Sequence, residues 1–104
     1  MAEYRLRAIS QHFVLNEDDW RNPDHPKLCD MPCVVEMSFP TMRESATIQR
    51  YVYNLVVPWL SDPANGLDGH FTVCMHHENN AKGWRAIFRF SDHRAAMMHK
   101  VRWC

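Results

Sequence analysis

Three groups of side chains in this 104-residue chain have types and spacings that could do chemistry. His25, Cys29 and Cys33 recur at four-residue intervals, and the His76-His77 pair could add a fourth metal ligand. Structural zinc sites usually pair one such knuckle with a second. The chain has none, so the expected reading is a proline-rich loop with two incidental thiols and no metal. His70-Phe71-Thr72 has the H-x-T form that holds a phosphate when two copies face each other, but only one copy is present. Cys74 and His76 fall on one face of an alternating segment, as a Cys-His nucleophile pair would, yet nothing marks a lowered thiol pKa or an oxyanion hole. There is no G-x-S-x-G, no phosphate-cradling loop, and three glycines in all. The chain is therefore expected to be non-catalytic and to use no cofactor.

Composition narrows the remaining classes. Twelve Lys+Arg balance twelve Asp+Glu for a formal net charge of zero, so nucleic acid or an anionic membrane would need a local patch rather than an overall field. The same neutrality favours self-association. No apolar run is long enough to span a bilayer, and the first residues lack the apolar centre of a signal peptide. The expectation is a soluble, cytoplasmic protein with its four cysteines reduced. With 46% hydrophobic residues, four Trp, five Phe and three Tyr, residues 1–104 can build one domain around one core.

The elements that would position any site follow from periodicity. Residues 3–9 alternate as a strand that puts Arg5 and Arg7 on one face, and His12 to Leu15 extend it or form a second. Residues 16–32, with Pro23, Pro26 and Pro32, read as a long arm with one helical turn near Glu17 to Trp20; Trp20 and Leu28 argue that the arm docks. Cys33 to Phe39 reads as a strand. Thr41 to Glu44 has the form of a capping box, opening a helix with Ile48, Val52, Leu55, Val56 and Trp59 at helical spacing. Pro58 should end or kink it. His70–His76 and Trp84–Phe90 read as a hairpin across the turn Glu78 to Gly83. Ser91 can cap a last helix with Ala95, Met98 and Val101 as its buried line, followed by a short strand at 101–103.

This order is α+β. From residue 33 onward it matches the ferredoxin-like β-α-β-β-α-β order, an antiparallel sheet with two helices on one face, preceded by an N-terminal strand and arm over residues 1–32. Alternation sends Trp84, Ala86, Phe88 and Phe90 toward the helices and leaves Arg85, Ile87 and Arg89 on the other face beside Thr72, Cys74 and His76. The arm either covers that face or leaves it open.

The stretch Lys82-Gly83-Trp84-Arg85-Ala86-Ile87-Phe88-Arg89-Phe90 resembles the RNP1 strand of RNA-recognition motifs, with one residue inserted. That resemblance implies bases stacked on exposed aromatics. Residues 83–103, from this aromatic strand through Asp92, Ala95, Ala96, Met98 and Lys100 to Val101-Arg102-Trp103, resemble the tails of small tailed-phage proteins. This second resemblance implies a short phage-encoded protein that binds a host protein without catalysis. The combined expectation is a protein-binding protein, an inhibitor or modulator of a host or defence protein in the bacterial cytoplasm, as a monomer or homodimer and with no membrane partner. Arg5, Arg7, Arg85 and Arg89 would form an electropositive face, with Trp20 presented by the arm. The alternative is an RNA or single-stranded nucleic-acid binder using the same open face.

Overall fold

The computed structural model describes residues 6–8, 15–39, 45–76 and 83–104. Arg5, the side chain of Arg7, the Thr41 to Glu44 cap and the Glu78 to Lys82 turn lie outside the described residues. Strands β1 (Leu6–Ala8), β2 (Cys33–Phe39), β3 (Gly69–His76) and β4 (Trp84–Phe90) form one sheet in the order β1-β3-β4-β2. β4 pairs antiparallel with both β2 and β3, and β1 joins β3 in parallel, with Leu6 opposite Gly69. Helices α1 (Glu17–Arg21), α2 (Ser45–Tyr51), α3 (Val57–Ser61) and α4 (His93–Trp103) complete an α+β fold.

The two faces of the sheet follow the period-2 alternation. On one, Val35, Met37 and Phe39 of β2, Phe71 of β3 and Ala86, Phe88 and Phe90 of β4 share a single core with Ile48, Val52, Val56 and Leu60 and with Ala95 and Ala96 of α4. The inward placement of the β4 aromatics holds: Phe71, Phe88 and Phe90 stack on one another at 5.8 to 6.4 Å between ring centres. The smaller core on the other face is built from Trp20, Leu28 and Ile87, with Leu15, Val34 and Cys74 against it.

The helix expected to end or kink close to Pro58 runs on to Ser61, its regularity broken just before the proline by a π-turn at Val52–Val56 between α2 and α3. Its buried line is Ile48, Val52, Val56 and Leu60, while Leu55 is exposed. In a regular α-helix those twelve residues would rotate about 120° past three whole turns. One π-turn absorbs about one extra residue and brings the line back to the sheet. The Val57 amide donates to the Val52 carbonyl, and Pro58, which has no amide to donate, follows directly on that turn.

The chain after β4 departs from expectation in three ways. Asp92, rather than Ser91, caps α4, its carboxylate accepting from the Ala95 amide at 3.0 Å. The Ser91 hydroxyl accepts from the His70 amide at 2.7 Å while the Ser91 amide donates to the His70 carbonyl, clasping the start of β3 to the end of β4. Gly69 permits that approach, because a Cβ there would sit 2.5 Å from Ser91 Oγ at a φ of 95°. The buried line of α4 is Ala95, Ala96 and His99, with Met98 and Val101 exposed. Two alanines let the helix approach the sheet closely, and His99 fills the space beyond them, 4.3 Å from the Phe88 ring. Residues 101–103 stay helical, so no strand forms there and the outer edge of β2 has no neighbour among the described strands.

Candidate functional site

The sheet face that the arm could either cover or leave open is covered. Residues 15–31 lie across it as one helical turn followed by a chain of tight turns. Asn16 and Asp19 form a capping box, in which Asn16 Oδ1 accepts from the Asp19 amide at 2.9 Å and Asp19 Oδ2 from the Asn16 amide at 3.3 Å. The His25, Leu28 and Met31 amides then donate back to the Asn22, His25 and Leu28 carbonyls. This curl turns several carbonyl oxygens inward around a single cation.

That cation is Arg89, which is fully buried. Its Nε donates to the Met31 carbonyl at 2.7 Å. Nη1 donates to Trp20 at 3.1 Å and Asn22 at 2.8 Å, and Nη2 to Pro23 at 3.2 Å and Leu28 at 3.0 Å. A guanidinium has five N–H donors, and all five are used. Burial lowers the Arg89 pKa, and five carbonyl dipoles supply in place of a carboxylate what solvation would have given the charge. Arg89 thus anchors the arm, and the expectation that it lies on an open electropositive face is corrected.

Arg85 and Trp20 are also turned inward. Arg85 is paired with Glu17 of the arm, Nη2 donating to Oε2 at 3.1 Å and Nε to Oε1. Arg21 donates to Glu36 at 2.7 and 3.1 Å and to Glu17 at 2.9 Å, and Arg85 lies 3.7 Å from Glu36. Two acids and two bases therefore alternate in a closed, neutral ring. The hydrogen bond from Arg85 holds the Glu17 carboxyl below its ordinary range, and Glu36 raises the Arg21 pKa. Trp20 is buried with its ring edge-on to His76 at 6.1 Å. Arg7 occupies a strand position opposite His70.

The groups that could do metal or nucleophilic chemistry do not converge. Among the described residues no three His, Cys, Asp or Glu side chains are placed to hold a metal ion. His25 Nδ1 accepts from the Lys27 amide, and the Cys29 thiol donates to the Pro26 carbonyl. Burial raises the Cys74 thiol pKa and lowers that of His76, the reverse of what an activated Cys-His pair needs.

Two grooves instead flank the free edge of β2. The first, of ≈ 420 Å³, is lined by Cys33, Val34 and Val35 with His93, Ala96, Met97 and Lys100 of α4. The second, of ≈ 430 Å³, is lined by Glu36, Met37, Ser38 and Phe39 with Tyr51, Trp103 and Cys104. Successive strand residues point to opposite faces of a sheet, so a groove lined by both Val34 and Val35, or by Met37 and Ser38, opens along the strand's edge rather than onto a face. Between them the grooves follow β2 from end to end. On the α4 side Met97 is 55% exposed and Val101, one turn on, is 78% exposed. From sequence, exposed strand edges are places where a partner or a second copy could pair, but β2 is not singled out, because a last strand is expected beside it.

Comparison of the chain with protein-family models, curated proteins and solved structures finds no match. No helix among the described residues is long and apolar enough to cross a membrane.

Proposed function

We propose that this chain is a small, non-catalytic protein-binding protein that takes a partner along the outer edge of β2, and that it acts as a phage-encoded inhibitor or modulator of a host or defence protein. The observation carrying the proposal is the outer edge of a seven-residue strand, an edge that pairs with no described strand, its Glu36 carbonyl accepting from the Cys104 thiol at 3.9 Å, flanked end to end by two grooves and by exposed Met97 and Val101. An unpaired strand edge offers a row of backbone donors and acceptors, and proteins that do not use such an edge usually blunt or cover it. As to fold, we read residues 33–104 as a ferredoxin-like arrangement without its last strand. The order β3-β4-β2 and the helices following β2 and β4 support this, and the missing strand would belong beside β2. The resemblance of residues 83–103 to small tailed-phage proteins supports a bacterial host protein as the partner.

The nucleic-acid alternative loses its surface. Phe88 and Phe90 lie in the core, Arg89 is enclosed by the arm, and Arg85 is bound to Glu17.

The test is affinity capture from bacterial lysate, with nuclease, using the wild type and a Met97→Glu/Lys100→Glu variant whose changes lie on exposed α4 positions. A protein that survives nuclease and is lost only with the variant is the expected result. Equal capture by both forms, or recovery of nucleic acid alone, would overturn the proposal.

A further inference from the structure

Resting on the reading of the β2 edge as a binding surface, the charges beside that edge identify what it takes. α4 carries His93, Arg94, Lys100 and Arg102 and contains no acid. The acid that precedes it, Asp92, is held by the Ala95 amide. Arg94 donates to the Gly66 carbonyl, and Arg102 lies over the Trp103 ring at 4.6 Å. Lys100, exposed on the wall of the first groove, has no ion-pair partner among the described residues. Among the described side chains lining the two grooves the one acid, Glu36, is already bonded to Arg21 at 2.7 Å. Of the described charged side chains in the groove walls, the one left without an ion-pair partner is therefore the cation Lys100.

We propose that the occupant is an acidic extended segment of another protein. It adds to β2 as a further strand by β-augmentation, with apolar side chains against the grooves and acidic ones against Lys100 and the basic side of α4. A second copy of the chain fits worse. Antiparallel self-pairing centred on β2 would bring two acid-free, basic helices together with no acid to offset them, and like-charge juxtaposition disfavours an interface.

The experiment titrates two seven-residue peptides, one alternating Glu and Val and one alternating Lys and Val, into the ¹⁵N-labelled full chain. Amide shifts, light-scattering mass and salt dependence are read together. The Glu-Val peptide should shift the amides of Val34 to Ser38, Met97 and Lys100 saturably, while the Lys-Val peptide binds at least about fivefold more weakly. Lys100→Glu, an exposed change whose fold is checked by its amide spectrum, should remove that preference, and added salt should diminish it. Binding of both peptides at the edge with equal affinity would overturn the acidic assignment while leaving the edge as the binding surface. Absence of saturable shifts at β2 with either peptide would overturn the strand-addition mode. A doubled mass, with β2 amides protected in the chain alone, would overturn it in favour of a second copy.

Discussion

His99 lies wholly within the core, its ring 4.3 Å from that of Phe88 and 5.2 Å from that of Phe90, with neither nitrogen hydrogen-bonded. Burial lowers its pKa from 6.5 to about 4. Between those values the unfolded chain holds more protons than the folded one, so stability is complete above about pH 6.5 and falls as the pH drops toward 4. Going from about pH 7.5 to about pH 5, this one ring should cost the fold about 2 kcal/mol, rising to about 3 kcal/mol below pH 4. His99→Leu should abolish that part of the acid limb. It should also stabilise the protein at neutral pH by about 1 kcal/mol, because two buried nitrogens no longer go unpaired. Urea unfolding of both forms at the two pH values measures the difference, and an NMR titration of the ring gives its pKa directly. Identical pH dependence in the two forms, or a ring pKa near 6.5, would refute the reasoning.

Three further outcomes follow from the arm and from the clasp between β3 and β4. Arg89→Met should cost about 3 kcal/mol or more, since five carbonyls lose one charged donor; Arg89→Lys, with three donors, should fall between the two, as read by urea unfolding and by hydrogen exchange over residues 16–32. A double-mutant cycle on Glu17 and Arg85 should give a coupling of about 1 kcal/mol. Because the Glu17 pKa is depressed, that coupling should be present above the ordinary carboxylate range and disappear as the pH falls through the folded value. Gly69→Ala should destabilise by about 1 to 3 kcal/mol, because the new methyl would meet Ser91 Oγ at a positive φ; its unfolding midpoint checks this.

β2 was readable as a short apolar run, and β3 and β4 because they alternate and the aromatics of β4 fall on one parity, so sequence alone turned Phe88 and Phe90 inward. Alternation separates two faces without saying whether the second meets water or another part of the chain. Arg85 and Arg89 were accordingly assigned to an open surface, although Trp20 and Leu28 already indicated an arm that must bury somewhere. In α4, spacing by residue type chose Met98 and Val101, while the helix buries Ala95, Ala96 and His99. Small residues permit close approach, and a histidine filling a hole beside two Phe rings carries no apolar signature. Near Pro58 an end or a kink was legible, but the π-turn before it was not. Ile48, Val52, Val56 and Leu60 recur every four residues, too slowly for a regular α-helix, and that interval is the local signal for a π-turn.

The central claim is that binding passes along β2 while the arm stays closed. Amide hydrogen exchange, measured on the chain alone and in complex with the protein it captures, tests this directly. New protection is expected from Val34 to Ser38 with exchange over residues 16–32 unchanged; release of the arm on binding, with β2 exchange unaltered, would overturn this mode of binding.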